Sequence, residues 1–303
     1  MDFKQLDIAD YQNLRIFFDN QRYRLCEYSL LSLMVWSNQR SKTFYSIDDN
    51  NLIIYYKSDS SLKESHLILP ISPDANVNPE YLFNTAKKLG FANYWSVPED
   101  YLLKYDPREI ENFFRITEQT EFDDYIYLTE DLIHLKGNKF TRQRNLINQF
   151  SKKYLEKNKV RVEAINSENK DECLHFLNEW CDLRKCDMEY NEGLACEKMA
   201  AIKTLNNIDA LEAKGLLVRI DGKVSAFGIS SHLTNEMGVL NFEKANPKIK
   251  GLYQFLDNEC AKRLFADYKY INKESDMKLP NLAQSKRSYN PVMKIKSYCL
   301  TLV

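Results

Sequence analysis

The spacing of apolar residues along the first part of the chain switches between a helical and an extended period. Leu14, Phe17 and Phe18 recur at helical spacing, whereas later stretches alternate apolar with polar residues. In chain order, the pattern predicts helices within residues 1–40, strands at 43–47, 51–57 and 66–71, a helix at 79–90, and a strand at 93–97. This order is typical of an α/β protein.

From about residue 119 the chain repeats this order of elements. The clearest local signal is Asp221-Gly222, a dipeptide typical of a tight hairpin turn. The pattern predicts strands at 125–128, 160–165, 215–220, 223–231, 237–243, 268–272 and 292–300, and helices at 140–158, 169–186, 194–213 and 252–266. We interpret the chain as a duplicated α/β unit, with an N-terminal domain at residues 1–118 and a C-terminal domain at residues 119–303.

The composition predicts a cytoplasmic globular protein. Of its 303 residues 44% are hydrophobic, which allows a sizeable core. No apolar run approaches the ~18 residues that span a bilayer, and the N-terminus does not resemble a signal peptide. We therefore expect that the protein is not an integral membrane protein. The seven cysteines and four histidines show no metal-ligand spacing, so no metal site is predicted.

The charges are unevenly distributed, although the net charge is only −1. The first 135 residues hold 13 Lys and Arg against 22 Asp and Glu, and the remainder holds 29 against 21. Residues 136–161 contain nine basic residues and a single acid, Glu156. This asymmetry indicates either an anionic partner for the C-terminal part or a solvated basic helix that complements the acidic part.

The most informative motif lies between the predicted strand at 237–243 and the helix that follows it. Residues 241–245 read N-F-E-K-A, and Lys248-x-x-Gly251-x-Tyr253 precedes the helix. This corner resembles the turn of GNAT-like N-acyltransferases, whose backbone amides hold the pyrophosphate of coenzyme A. Those enzymes have Gly or Ala at the last position, where Tyr253 would crowd a phosphate. The corresponding turn of the first half, at 72–79, has no Gly, which favours a structural N-terminal domain.

A more specific resemblance rests on E-K-A-N at 243–246, G-L-Y-Q at 251–254, N-x-E-x-D at 272–276 and L-x3-K-x-S-Y-x-P at 282–291. These motifs resemble the C-terminal domain of phosphatidylglycerol lysyltransferases, in particular a bacterial family of soluble homologues. The resemblance implies two tandem GNAT-like domains, each a mixed, mainly antiparallel sheet flanked by helices. It also implies an aminoacyl-tRNA donor. The chain lacks the membrane region of the lysyltransferases, so a lipid-headgroup acceptor and a small-molecule acceptor both stay open.

Four residues are candidates for catalysis. Glu243, at a predicted strand end, is a candidate general base, with an ion pair to Lys244 or a helix cap as the alternative. Glu274 and Asp276 share one side of a segment predicted to be extended, where they would orient an ammonium or move protons; the alternative is loop capping. Tyr289 is a candidate acid for the leaving oxygen, and otherwise packs ahead of Pro291.

A second group of residues is suited to binding an anionic donor through basic, amide or backbone groups. The alternatives are exposed lysines, a solvated helix face and, for the glycine, the turn itself. The donor-binding candidates are Lys139, Arg142, Arg144, Asn145, Lys244, Asn246, Lys248, Gly251 and Lys286.

Three functions follow as hypotheses. The first is transfer of an aminoacyl group from aminoacyl-tRNA to an amine or hydroxyl acceptor, and the second is acyl transfer from acyl-coenzyme A. The third is a non-catalytic protein that binds an anionic metabolite or partner on the same fold. In both enzymatic readings the donor is a substrate, and no further cofactor is required.

Overall fold

A computed structural model of the protein describes residues 1–37, 41–58, 65–72, 77–184, 186 and 192–303. Its strands are β1 (Lys4–Gln5), β2 (Ser41–Asp48), β3 (Asn51–Ser58), β4 (His66–Leu67), β5 (Asn93–Pro98), β6 (Phe114–Glu118), β7 (Asp124–Leu128), β8 (Val160–Ala164), β9 (Lys214–Ile220), β10 (Lys223–Thr234), β11 (Met237–Ala245), β12 (Tyr270–Asn272), β13 (Met293–Ile295) and β14 (Ser297–Leu302).

The strands form two sheets. The first has the order β1-β2-β3-β4-β5-β14-β6 and the second the order β13-β7-β12-β11-β10-β9-β8. Neighbouring strands are antiparallel except for β4 with β5 and β11 with β12, which are parallel. The prediction of two mixed, mainly antiparallel sheets flanked by helices is confirmed.

The helices pack against these sheets, and several begin and end where the sequence predicts. They are α1 (Tyr11–Phe18), α2 (Leu30–Val35), α3 (Pro79–Leu89), α4 (Glu99–Leu102), α5 (Pro107–Glu111), α6 (Thr129–His134), α7 (Thr141–Phe150), α8 (Lys170–Arg184), α9 (Glu192–Asn206), α10 (Leu252–Leu264) and α11 (Pro280–Arg287). The Asn78 side chain accepts a hydrogen bond from the Tyr81 amide at 2.8 Å to begin α3, and Gly90 ends this helix in the left-handed conformation.

Some element boundaries differ from the prediction for identifiable reasons. The strand predicted at 66–71 shortens to β4, since Pro70 carries no amide hydrogen for a ladder, and Ile71 forms only an isolated bridge to Leu52. The helix predicted at 140–158 is α-helical only over Thr141–Phe150, and it continues as a π-helical segment at Ser151–Leu155. The helix predicted at 194–213 ends at Asn206. Residues 73–76 of the first-half turn, and residues 185 and 187–191, lie outside the described residues.

The last strand of the chain, β14, joins the two halves, because it follows the second half in sequence but lies in the first sheet. All strands before β7 lie in the first sheet, and the division at residues 118 and 119 stays a prediction. The single strand predicted at 292–300 is instead two strands, β13 in the second sheet and β14 between β5 and β6 in the first. Side chains of both halves also share one core, where Trp36 stacks on Phe242 with ring centroids 6.4 Å apart.

Candidate active site

The candidate site lies where two neighbouring strands of the second sheet diverge. β11 and β12 pair only over Met237–Val239 with Tyr270–Asn272. Beyond this point β11 continues beside β10, whereas the chain after β12 turns towards β7, where the Lys273 amide donates to the Tyr125 carbonyl at 3.0 Å. The Lys273 Nζ lies 3.2 Å from Glu243 Oε2, so an ion pair spans the split.

A buried charge network is centred on this lysine. The Lys273 Nζ also lies 2.7 Å from Asp257 Oδ2 on α10 and 4.9 Å from the centre of the Tyr289 ring. The side chains of Glu243, Asp257 and Lys273 are 19%, 4% and 11% exposed. Two carboxylates and one ammonium thus share a water-poor space, in which electrostatic interactions are stronger than in water.

This environment shifts the pKa values of the groups in the network. Burial raises the pKa of Glu243 to about 7, Asp257 adds to the rise, and Lys273 opposes it. Burial alone would lower the pKa of Lys273, but Asp257 and Glu243 together raise it above its ordinary value. Burial raises the pKa of Tyr289 well above its ordinary value, with Asp257 and Glu243 adding to the effect. Near neutral pH the network therefore combines a titrating carboxylate, an ammonium and a neutral phenol.

A second, partly buried cluster joins the two halves of the chain. Asp124, at the start of β7, accepts hydrogen bonds from the Cys26 amide and from Asn272 Nδ2, both at 2.7 Å to Oδ2. The Lys286 Nζ donates to the Glu274 carbonyl at 3.0 Å and also to the Lys273 carbonyl. Glu274 has a left-handed φ of 59°, so the segment predicted to be extended is interrupted at this residue.

The second cluster contains more carboxyl groups than amines. Burial raises the pKa values of Glu274 and Glu27 to about 8, and the nearby Asp124 raises both further, while Lys286 opposes the rise at Glu274. Burial also lowers the pKa of Lys286, against the attraction of Glu274 and Asp124. Near neutral pH these two glutamates are therefore mainly protonated, and an additional cation, such as the ammonium of an amino acid, would favour their ionised form.

Cys26, Glu27 and Asp124 could hold a metal ion by distance alone, since their ligand atoms lie within 4.8 Å of one another. Asp124 Oδ2 already accepts two hydrogen bonds, and the Cys26 Sγ lies 3.5 Å from a carboxylate oxygen of both Glu27 and Asp124. Burial raises the pKa of the Cys26 thiol well above its ordinary value, which disfavours a thiolate ligand. This arrangement fits a hydrogen-bonded cluster better than a metal centre, and the absence of a metal stays a prediction.

Asp276 does not join either cluster. Its Oδ2 accepts a hydrogen bond from the Tyr125 hydroxyl at 2.5 Å, and its Oδ1 accepts one from the Lys278 amide at 2.9 Å. Although burial opposes the effect, these hydrogen bonds hold the pKa of Asp276 below its ordinary value. A firmly ionised carboxylate that caps a turn is a poor proton carrier, so the structure favours the loop-capping alternative for this residue.

The turn at residues 248–253, here called the glycine corner, is closed by packing rather than open to a phosphate. Gly251 begins α10 with φ 84° and is buried. A Cβ atom on Gly251 would lie 2.2 Å from the Leu146 carbonyl oxygen of α7. This close packing explains the glycine, and a carbonyl oxygen beside the turn disfavours an anion. Asn246 caps the same turn, since its Oδ1 accepts a hydrogen bond from the amide of the exposed Lys248 at 3.0 Å.

Lys244 lies on the opposite face of β11 from Glu243, as expected for successive strand residues. It is buried, forms an ion pair with Glu197 of α9, and its Nζ lies 4.5 Å from the centre of the Trp180 ring. Glu197 nevertheless raises the pKa of Glu274, so this pair borders the second cluster. Lys244 is therefore a buried neighbour of the site rather than a free phosphate ligand.

The basic residues around α7 divide into paired and exposed ones. Lys139 forms an ion pair with Asp131 at 2.7 Å, and Arg144 donates to the carbonyls of Leu135 and Gly137 that follow α6. Arg142 and Asn145 are exposed on α7. Of the predicted donor-binding residues on this helix, Arg142 also borders a groove that reaches Tyr289.

The structure adds residues that the sequence analysis missed. Lys273 lies inside the N-x-E-x-D motif and was overlooked because its partners are distant in sequence. Asp257 is an acid within the apolar buried face of α10, which was a readable signal. Cys26 and Glu27 come from the first half, and no local pattern pointed to them.

The two mixed sheets flanked by helices form the predicted tandem GNAT-like fold, and the charge network lies at the split between two of its strands. The family profile of the phosphatidylglycerol lysyltransferase C-terminal domain matches residues 21–301, and the chain belongs to this family. The resemblance inferred from the motifs is confirmed.

Solved structures show the same fold. A conserved protein of unknown function from Bacteroides thetaiotaomicron is 28% identical, with a TM-score of 0.88 and full coverage of both chains. The C-terminal domain of a protein described as a lysylphosphatidylglycerol synthetase, from Agrobacterium fabrum, is 12% identical with a TM-score of 0.66, over 97% of this chain and 91% of that one. The latter shows similarity of fold.

A curated relative matches part of the chain. An uncharacterised protein of Mycoplasmoides gallisepticum is 24% identical over 180 residues, which is 59% of this chain and 56% of the relative. The chain thus matches little more than half the length of this relative. Within the described ranges, no helix has both the length and the apolar composition needed to cross a bilayer. The cytoplasmic location stays a prediction.

Proposed function

We propose that the protein transfers an aminoacyl group from aminoacyl-tRNA to an amine or hydroxyl acceptor. The observation that carries this proposal is Glu243, a carboxylate with a pKa of about 7 that lies across the strand split from the Lys273 ammonium. A general base is most effective when its pKa lies near the working pH.

In the proposed reaction, the Glu243 carboxylate takes a proton from the acceptor amine or hydroxyl. The acceptor attacks the ester carbonyl carbon of the donor, and the Lys273 ammonium stabilises the oxyanion. The new bond forms as the ester C–O bond breaks, and the Tyr289 hydroxyl donates its proton to the leaving ribose oxygen. The proton held by Glu243 then restores the phenol through the shared network, so that one proton passes from acceptor to leaving group.

The second cluster suits the amino acid. Glu274, Glu27 and Asp124 place three carboxyl groups beside the single amine of Lys286, and a further ammonium bound there would favour their ionised form. An aminoacyl ester carries a free α-ammonium, which an acetyl or fatty acyl group lacks. This excess of acidic groups therefore supports an aminoacyl group over a simple acyl group.

The closed glycine corner also favours aminoacyl-tRNA over acyl-coenzyme A as the donor. Tyr253 occupies the position of the small residue in coenzyme A-binding turns, and its hydroxyl accepts a hydrogen bond from Trp180 Nε1 at 3.2 Å. With the Leu146 carbonyl against Gly251, this corner offers little space for a pyrophosphate. The acyl-coenzyme A alternative thus loses the feature that suggested it.

The proposal is tested by parallel binding titrations at low and moderate salt. The ligands are a mixed pool of aminoacylated tRNA, the same pool after deacylation, and acetyl-coenzyme A. We expect tighter binding of the charged pool, because only this pool presents the ammonium and the ester to the two clusters. Binding of acetyl-coenzyme A alone would refute the proposal, and binding of none of the three would favour a non-catalytic protein.

A further inference from the structure

Helices α7, α10 and α11 enclose a groove of about 180 Å³ that borders Tyr289. The groove is rich in uncharged polar groups, with the amides of Gln143, Gln254 and Gln284 and the hydroxyl of Ser288, and Arg142 also borders it. Among the described residues that line it, no side chain is acidic. Its chemistry therefore differs from that of the two carboxylate clusters.

A buried amide in the groove has an unfilled hydrogen-bond position. Gln143 is only 3% exposed, and its Nε2 donates to the Ser288 carbonyl at 2.6 Å. Within the described part of the chain, Gln143 Oε1 is buried and has no hydrogen-bond partner. Since buried acceptors are nearly always paired, this oxygen indicates a missing donor such as a ligand hydroxyl.

Tyr289 connects the groove to the proposed chemistry. Its ring lies 4.9 Å from the Lys273 Nζ, and its hydroxyl interacts with both Asp257 of the charge network and Gln254 of the groove. Gln254 and Asp257 are one helical turn apart on α10, and thus share a face. A group bound in the groove would therefore lie next to the phenol that protonates the leaving oxygen.

We infer that this groove holds the 3′-terminal ribonucleotide of an RNA donor. Amides and hydroxyls both donate and accept hydrogen bonds, which suits the vicinal hydroxyls of a ribose. The Arg142 guanidinium suits the adjoining phosphate. Arg142 also belongs to the basic stretch at 136–161, where nine basic residues against one acid favour a polyanion over a single phosphate. The inference rests on the proposed function, and it locates the leaving group of the proposed reaction, the 3′-terminal ribose, in this groove.

The test uses exposed groove residues, so that folding is preserved. The double variant Asn281→Ala/Gln284→Ala removes two amides from the groove, and Gln149→Ala removes an exposed amide of α7 outside it. Each protein is titrated with deacylated tRNA, either intact or oxidised with periodate and reduced with borohydride. The oxidised tRNA keeps its backbone charge but lacks the 3′-terminal ribose ring.

The wild type and Gln149→Ala should bind intact tRNA about tenfold more tightly than oxidised tRNA, and the double variant should lose this preference. Equal binding of both tRNAs by the wild type would overturn the inference. So would a double variant that keeps the preference. Neither result affects the function itself, provided that charged tRNA is still bound in preference to deacylated tRNA.

If no tRNA binds, a titration with AMP separates the two proposals. Binding of AMP that the double variant loses would support the groove as a ribonucleotide site while the tRNA-dependent function fails. Absence of AMP binding would then overturn the inference. Binding of glycerol 3-phosphate in place of AMP would also overturn it, and would assign the groove to a lipid headgroup.

Discussion

Replacement of Glu243 by Gln should stabilise the protein above neutral pH while it removes the proposed base. The ordinary pKa of a glutamate is 4.5, and burial raises that of Glu243 to about 7. Between these values the folded protein holds a proton that the unfolded chain has lost. Stability is therefore lost as the pH rises from about 4.5 to about 7.

The size of this effect follows from the two pKa values. At about 1.4 kcal/mol for each pKa unit, a rise from 4.5 to about 7 corresponds to about 3 kcal/mol. The neutral Gln side chain resembles the protonated acid and avoids this cost. Glu243→Gln should therefore raise the free energy of unfolding at pH 8 by up to about 3 kcal/mol, with no difference below pH 4.5.

Thermal unfolding at pH 5 and pH 8 measures this difference. We expect the midpoint of Glu243→Gln to exceed that of the wild type at pH 8 by roughly 5 °C or more, and the gap to shrink at pH 5. Glu236→Gln, an exposed glutamate in the turn before β11, is the matched control and should show no gap. A Glu243→Gln variant that unfolds at lower temperature at pH 8 would refute the account, since it would mean that the ion pair with Lys273 outweighs the cost of burial.

Three further predictions follow from the same structure. The wild-type kcat/KM should rise with pH through about 7 as Glu243 ionises, and Glu243→Gln should flatten this pH profile. Gly251→Ala should lower the free energy of unfolding, measured by chemical denaturation, by roughly 2 to 4 kcal/mol, because its Cβ atom would meet the Leu146 carbonyl. Gly222→Ala, at a position with the same φ but open space around it, should lower this free energy by only about 1 kcal/mol. Equal losses in the two variants would contradict the packing at Gly251. A chain that ends at Lys296 lacks β14 and should be insoluble or lose its cooperative unfolding, whereas a chain that ends at Leu302 should fold normally. If the chain that ends at Lys296 is stable, the first sheet forms without β14.

The sequence predicted those features that depend on local pattern. The hairpin at Asp221-Gly222 forms as expected, because the dipeptide favours the tight turn whatever surrounds it. Likewise, Glu243 lies near the end of a strand, as the sequence predicts. The residues around Gly251 resembled an anion-binding corner, but only the structure shows α7 packed against it.

Features that depend on distant contacts could not be predicted. Cys26 and Asp124 lie 98 residues apart in sequence, and only the joining of the two sheets brings them together. Residues 292–300 have one continuous extended pattern, yet the chain changes sheets at Lys296. A local pattern specifies that a segment is extended, but the choice of neighbouring strand depends on the whole fold.

The most direct test of the central claim is a single-turnover measurement with labelled aminoacyl-tRNA. The protein is mixed with the labelled pool and a small-molecule and lipid extract as acceptors, and the transfer of label is followed for the wild type, Glu243→Gln and Glu236→Gln. We predict that the wild type and Glu236→Gln transfer label at the same rate, and that Glu243→Gln is slower by about 10²- to 10⁴-fold. Equal rates for all three proteins, or no transfer by the wild type, would contradict the account.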